Sequence, residues 1–135
     1  MKKKVIIVVG SNFQNPRKNV TDAIAHLERY WKVSQKSEIY STPDFIGGGK
    51  EYYNAVVEFE TEEDIEHLNK SLKAYERSQG RNNKMKQDGK VPIDIDIVVY
   101  DGSIVRPKDF HTKYFKIGYN QLESTSTTPG NPVEQ

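Results

Sequence analysis

Two patterns of apolar residues divide this chain into predicted strands and helices. Residues 5–9 are continuously apolar and β-branched, which is typical of a strand buried on both faces at the centre of a sheet. After Asn15 and Pro16, which are common at a helix start, residues 16–31 carry apolar side chains at helical spacing. The same two patterns predict a weaker strand over 33–41, a strand over 52–61, a helix over 65–79, a strand over 91–100 and a short strand over 103–106.

This order of elements is the split βαβ repeat of ferredoxin-like folds. We therefore predict an α+β domain with the order βαββαβ, in which an antiparallel sheet carries two helices on one face and leaves the other face open for a ligand. Residues 1–122 should form this single domain, and the polar residues 123–135 should be a disordered tail. The glycine-rich loop 42–50 and the basic loop 81–90 are predicted to be flexible.

The composition narrows the classes of function. The 135 residues include 20 basic and 19 acidic side chains, and this formal net charge of +1 argues against a nucleic-acid or membrane-surface partner. The absence of cysteine excludes disulfides, zinc-thiolate sites and cysteine nucleophiles. The longest apolar run is too short to cross a bilayer, and the lysine-rich start does not resemble a signal peptide. A cytoplasmic location is expected.

The predicted strand 91–100 contains the most informative residues. Because successive side chains of a strand point to opposite faces, Asp94 and Asp96 should share one face while the flanking isoleucines share the other. Two adjacent carboxylates raise each other's pKa, and a divalent cation is the usual solution. Mg²⁺ prefers oxygen ligands and commonly binds together with phosphates. The alternative is an edge strand whose aspartates face water.

Five short motifs resemble those of one enzyme family in order and approximate spacing. They are residues 9–12 (VGSN), 40–43 (YSTP), 52–55 (YYNA), 76–81 (ERSQGR) and 93–97 (IDIDI). Over residues 4–119 the chain is similar to hydroxymethyldihydropterin pyrophosphokinases. The resemblance implies a ferredoxin-like fold and transfer of diphosphate from ATP to 6-hydroxymethyl-7,8-dihydropterin in folate biosynthesis.

The resemblance also implies a role for particular residues in a monomer that binds ATP and a pterin. Asp94 and Asp96 would hold two Mg²⁺ ions, and Arg81 would act with them in catalysis. The residues implied for the pterin are Thr42, Pro43, Phe45, Tyr52, Tyr53, Asn54 and Tyr119. The residues implied for ATP are Glu76, Lys84, Ile97, His111 and Thr112. By sequence pattern alone, the two tyrosines are ordinary strand residues and the loop cations are solvated charges.

The chain departs from the family at several positions. Family arginines are replaced by Asn83, Val91 and Ile117, and a family tryptophan is replaced by Asp88. Tyr119 stands where the family has a phenylalanine. Each lost guanidinium removes a bidentate phosphate contact, which lysine replaces only in part.

These departures leave two alternatives to an active pyrophosphokinase. One is a catalytically weakened or inactive relative that binds a pterin or a nucleotide, which the lost arginines favour and the retained aspartate pair disfavours. The other is a ferredoxin-like nucleic-acid binder. It is disfavoured by the near-neutral charge and by the absence of an aromatic, glycine-rich strand motif.

Overall fold

A six-stranded sheet organises the chain. The computed structural model describes residues 1–43 and 51–125, with side chains up to residue 122. Its elements are β1 (Lys3–Ser11), α1 (Pro16–Tyr30), β2 (Lys32–Lys36), β3 (Tyr40–Thr42), β4 (Tyr52–Thr61), α2 (Ile65–Ser78), α3 (Asn83–Gln87), β5 (Asp94–Tyr100), β6 (Ser103–Ile104), α4 (Pro107–Phe110) and α5 (Lys113–Thr125).

The strand order confirms the predicted α+β, ferredoxin-like class. The strands lie in the order β2-β4-β1-β5-β6, with β3 also paired to β4, and all pairings are antiparallel. β1 is central, as its continuous apolar run predicts, because a strand covered on both faces needs apolar residues at every position. Val5, Ile7 and Val9 are fully buried, and Ile6 and Val8 are nearly so.

The predicted pair of helices covers one face of the sheet. Val5, Ile7 and Val9 pack there with Leu27 of α1 and Leu72 of α2. This face forms the larger of two apolar cores, because α1 and α2 each present one apolar stripe to the sheet. We call it the helix-pair face.

The opposite face is not open along its whole length, so that part of the prediction was wrong. Val8, Val56 and Val98 form a second core there with Phe115 and Leu122 of α5. We call it the α5 face. The predicted tail began at residue 123, whereas the α5 helix continues to Thr125; residues 126–135 lie outside the described part of the chain.

Two further segments differ from the prediction in their regular structure. The strand predicted over 33–41 is split into β2 and β3, since the Ser37 hydroxyl accepts from the Val56 amide and interrupts the backbone pairing. The basic loop 81–90 contains the short helix α3, which the Asn82 side chain caps by accepting from the Met85 amide.

The glycine at position 118 sets how closely α5 approaches the sheet. A Cβ atom there would lie 2.5 Å from Val56 Cγ2 and 2.9 Å from the Tyr40 hydroxyl oxygen. Gly118→Ala should therefore lower the free energy of unfolding by about 1–3 kcal/mol through overpacking, despite the better helix propensity of alanine. Urea denaturation measures the loss.

The matched control for this change is Asn120→Ala, at an exposed position of the same helix. It should leave stability unchanged or raise it slightly, because alanine favours helix and nothing is crowded. Equal stability of the native chain and Gly118→Ala would show that α5 does not pack against Val56.

Candidate active site

The two aspartates share the α5 face of β5, as the alternation predicted. Ile93, Ile95 and Ile97 belong to the core of the helix-pair face, so the side chains between them point the other way. Asp94 keeps 35% of its side chain exposed and Asp96 keeps 16%. Both carboxylates are thus reachable from solvent while most of their hydration is lost.

Side chains of α2 cover the edge of β5 beside these aspartates. Glu76 accepts from the Ile95 amide at 2.6 Å, and Lys73 donates from Nζ to the Ile95 carbonyl at 2.8 Å. The described partners of β5 are β1 and, at its far end, β6, so these two contacts satisfy backbone groups that a neighbouring strand would otherwise pair. Glu76, with 5% of its side chain exposed, ties α2 to the aspartate strand.

Three cations surround the carboxylate pair. Arg81 donates from Nη1 to Asp94 Oδ1 at 2.6 Å and to Glu76 Oε1 at 3.2 Å. Lys73 Nζ lies 3.4 Å from Asp96 Oδ1, and a nitrogen of Arg106 lies 4.0 Å from that same oxygen. The aspartates therefore lie in positive surroundings that also suit a polyphosphate.

The environment shifts the pKa values of the two carboxyl groups in opposite directions. Burial raises the pKa of Asp94, but the hydrogen bond and charge of Arg81 outweigh burial and hold that pKa below its ordinary value. Burial and the charge of Asp94 raise the pKa of Asp96 to about 7, against the opposing charges of Lys73 and Arg106. A further positive charge is needed for both groups to be fully ionised at neutral pH.

Strand register aligns Asn54 with the aspartates. Asn54 of β4 and Asp94 of β5 are both paired with Gly10 of the central β1, so the three residues form one row across the sheet. A Cβ atom on Gly10 would lie 3.0 Å from Asn54 Oδ1 and 3.7 Å from a ring carbon of Tyr52. The amide of Asn54 is buried and donates to Thr42 Oγ1 at 2.8 Å.

The structure thus brings one group of the predicted residues to adjacent strands and to the end of α2 beside them. This group contains Thr42, Tyr52, Asn54, Glu76, Arg81, Asp94 and Asp96. Phe45 lies outside the described residues.

Two predicted site residues lie on the opposite face. Tyr53 and Ile97 pack with the core of the helix-pair face, and the guanidinium of Arg17 lies 5.3 Å from the Tyr53 ring centre. The reason is the strand alternation, which places the neighbours of Asn54 and Asp96 on the reverse side. Their side chains therefore face away from the aspartates, and the assignment of Tyr53 to the pterin and of Ile97 to ATP stays a prediction.

The remaining predicted residues lie in loops and helices next to the sheet. Pro43 is exposed at the end of β3, and Lys84 is exposed on α3. His111 is exposed and follows α4, and the Thr112 hydroxyl donates to the Asp109 carbonyl. Tyr119 stacks on Phe115 of α5 at 5.3 Å between ring centres.

Lys73 and Arg106 are site residues that the sequence analysis missed. Arg106 returns to Asp96 because the turn at 101–102 pairs Tyr100 with Ser103 and leads the chain back along β5. That register, if extended, would pair Arg106 with Ile97 instead of Asp96, so the hairpin alone would not have found it. The signal for Lys73 is its spacing, since residues three apart on a helix are neighbours and Lys73 precedes Glu76 by three positions.

The structure also describes the three positions at which family arginines are expected to be replaced. Asn83 is exposed on α3, and Ile117 is an exposed residue of α5. Val91 is buried, and its amide donates to Asn12 Oδ1 at 2.7 Å. The backbone at Val91 is therefore fixed to the end of β1, ahead of the aspartate strand.

The residue types at the site fit Mg²⁺. Within residues 1–43 and 51–122, no group of three or more His, Cys, Asp and Glu side chains is arranged to hold a metal ion. Mg²⁺, however, is usually bound by one or two carboxylates together with water and substrate phosphates. Asp94 and Asp96 supply such a pair, and burial together with the charge of Asp94 raises the pKa of Asp96 to about 7 in the absence of a metal ion.

Comparisons with known proteins point to one family. Residues 6–123 match the family described as 7,8-dihydro-6-hydroxymethylpterin-pyrophosphokinase. The chain is 30% identical over 111 residues to the 2-amino-4-hydroxy-6-hydroxymethyldihydropteridine pyrophosphokinase of Helicobacter pylori, covering 78% of this chain and 68% of that protein. It is 28% identical over 106 residues to the folic acid synthesis protein FOL1 of Dictyostelium discoideum, covering 78% of this chain but only 16% of that one.

No helix in the described part of the chain is long and apolar enough to span a membrane.

Proposed function

The chain belongs to the 7,8-dihydro-6-hydroxymethylpterin-pyrophosphokinase family, and from this premise we propose that it transfers diphosphate from ATP to 6-hydroxymethyl-7,8-dihydropterin in folate synthesis. The observation that carries the proposal is the pair Asp94 and Asp96, which share one face of β5 beside Lys73, Arg81 and Arg106. Carboxylates for a metal ion and cations for phosphates are the groups that phosphoryl-type transfer requires.

The reaction forms one phosphorus–oxygen bond and breaks another. The hydroxymethyl oxygen of the pterin attacks the β-phosphorus of ATP, the bond between that phosphorus and the α,β-bridging oxygen breaks, and AMP leaves. The hydroxyl proton is released. Asp94 and Asp96 would hold two Mg²⁺ ions, which supply neutralisation of the triphosphate and polarisation of the attacked phosphorus when bound.

The protein's own groups position the reactants. Arg81 fixes the carboxylate of Asp94, and Glu76 fixes the strand that carries both aspartates. Lys73 and Arg106 add positive charge on the Asp96 side. Holding the acceptor oxygen and the β-phosphorus in line replaces covalent catalysis in such a transfer.

We propose that the pterin binds at the Asn54 end of the row that runs through Gly10 to Asp94. Asn54 offers a donor and an acceptor to the amino-oxo edge of the ring, and Tyr52 offers an aromatic wall. Thr42 holds the Asn54 amide by accepting its hydrogen bond. This arrangement would point the hydroxymethyl group toward the aspartates.

The nucleotide would then bind on the α4 side of the aspartates. Arg106 precedes α4 and reaches Asp96, and His111 and Thr112 follow the same short helix. Lys84 of α3 is a further candidate for a phosphate contact. Because one chain supplies every residue proposed for both substrates, we expect the enzyme to act as a monomer.

The test is formation of AMP from MgATP by the purified chain, with and without 6-hydroxymethyl-7,8-dihydropterin. AMP that appears only with the pterin, in equal amount to a pterin diphosphate, is the expected result. A folded protein that binds both ligands without turnover would contradict the enzymatic proposal and support a binding module.

Gly10→Ala tests the pterin position. The added methyl group would press on Asn54 Oδ1 at 3.0 Å, so the amide must shift from the place where it would read the pterin. The KM for the pterin should rise about tenfold, since a misplaced hydrogen-bonding group costs on the order of 1–3 kcal/mol, with little change in the KM for ATP. Steady-state kinetics with each substrate varied in turn measures both values.

A second variant serves as the control for a side-chain change elsewhere in the same sheet. Ser34→Ala lies on β2, far along the sheet, and removes only the hydroxyl contacts to Glu58. It should leave both KM values unchanged. Equal changes in the two KM values for Gly10→Ala would contradict the proposed pterin position.

A further inference from the structure

Lys73 has an unusually constrained ammonium group. Its Nζ donates to Ile95 O at 2.8 Å and to Glu76 Oε2 at 2.9 Å, while Asp96 Oδ1 lies at 3.4 Å and Asp94 Oδ1 at 4.0 Å. The first two acceptors are a strand carbonyl and a buried carboxylate, so neither can move without disturbing the edge of β5. The two shorter bonds therefore fix the charge in place.

The third N–H of this ammonium is directed toward the aspartates. An ammonium has three donors, and two of them are used by Ile95 and Glu76. The remaining contact with Asp96 is longer and weaker, at 3.4 Å. A cation that binds between Asp94 and Asp96 can replace this contact without releasing Lys73 from its other two acceptors.

A fixed positive charge at this place affects metal and phosphate oppositely. It repels a bare divalent cation held by the same carboxylates, and it attracts the anionic triphosphate. The other nearby cations differ from it, since Arg81 is bonded to Asp94 and Arg106 is half exposed and bonded to Asp109. Lys73 is thus the partly buried positive charge closest to Asp96, and it remains in place when Asp96 changes partners.

We propose that Lys73 is a positioning residue that makes the aspartate pair select the metal–nucleotide complex over the metal alone. This inference rests on the proposed function, because it assumes that the pair binds Mg²⁺ with ATP. Lys73 would weaken metal binding before the nucleotide arrives and would strengthen nucleotide binding.

The experiment compares the native chain with Lys73→Gln in two binding measurements. Glutamine removes the charge but retains an amide that can donate to Ile95 O. Mn²⁺ binding without nucleotide is measured by electron paramagnetic resonance, and binding of α,β-methylene-ATP without metal is measured by calorimetry. Lys73→Gln should bind Mn²⁺ about tenfold more tightly and the metal-free nucleotide about threefold to tenfold more weakly.

The opposite changes expected for the two affinities distinguish selection of the metal–nucleotide complex from a merely structural role of Lys73. If loss of Lys73 merely loosened the edge of β5, both affinities would fall together, and that result would overturn the inference, as would no change in either affinity. Lys70→Gln is the matched control, because Lys70 is an exposed lysine one turn earlier on α2 and should change neither affinity. A native chain that binds neither Mn²⁺ nor the nucleotide would instead contradict the proposed function itself.

Discussion

Asp96→Asn is expected to reduce pterin-dependent AMP formation by about 10³-fold or more, because it removes one of two carboxylates proposed to hold the metal ions at the transferred diphosphate. Folding should be retained. Asparagine keeps the size of the side chain, and the contacts of Lys73 with Glu76 and Ile95 do not depend on Asp96. The measurement is kcat for AMP formation at saturating MgATP and pterin.

The control for this change is Asp22→Asn. Asp22 is an exposed carboxylate of α1, on the helix-pair face, and forms an ion pair with Lys18 one turn away. Its loss should leave kcat unchanged, since exposed pairs of this kind contribute little. Retention of more than a tenth of the native kcat in Asp96→Asn would mean that Asp96 is not a metal ligand in the transfer.

Glu76→Ala should lower the free energy of unfolding by about 3–5 kcal/mol, because removing one member of a buried ionic network leaves its partners uncompensated. Glu76 accepts from the Ile95 amide and from both Lys73 and Arg81. Without it, two partly buried cations and a strand amide lose their common acceptor. Urea denaturation monitored by circular dichroism measures the change.

Glu66→Ala provides the comparison on the same helix. Glu66 is exposed in the first turn of α2, where its charge only favours the helix dipole, so its loss should cost about 0.3–1 kcal/mol. A loss of similar size for Glu76→Ala would contradict the view that Glu76 secures the aspartate strand.

The sequence was sufficient wherever one local rule determined the structure. Strand alternation placed Asp94 and Asp96 together, because a period of two is a property of extended backbone and needs no tertiary information. The continuous apolar run of β1 likewise predicted its central place in the sheet. The same alternation, applied to residues 52–54, would have placed Tyr53 on the reverse face; the family resemblance kept both tyrosines as candidates.

The second covered face could not be predicted in this way. By intrinsic propensity, a glycine at position 118 disfavours a helix there. Its lack of a side chain lets α5 approach Val56 of β4 and Tyr40 of β3 closely, and this gain depends on tertiary packing. Phe115 and Leu122 are buried only because the sheet presents Ile6, Val8 and Val98 at that place. Tertiary packing overrides local preference here.

The contacts that Lys73 and Glu76 make with the edge of β5 could not be predicted from the sequence either. Glu76 and Ile95 are 19 residues apart, and their bond joins a helix side chain to a strand amide. A lysine three residues before a glutamate on a helix ordinarily forms an exposed pair. Only the packing of α2 along β5 shows that Lys73 and Glu76 instead surround the aspartate strand.

The most direct test of the account is to locate the metal–nucleotide complex on the isotopically labelled protein by nuclear magnetic resonance. With Mn²⁺ and α,β-methylene-ATP present, the amide signals of Gly10, Asp94 and Asp96 should broaden most strongly, while that of Tyr30, at the end of α1 on the other face, should be retained. Broadening centred elsewhere, with the signals of Asp94 and Asp96 unchanged, would contradict the assignment of the aspartate pair as the site of diphosphate transfer.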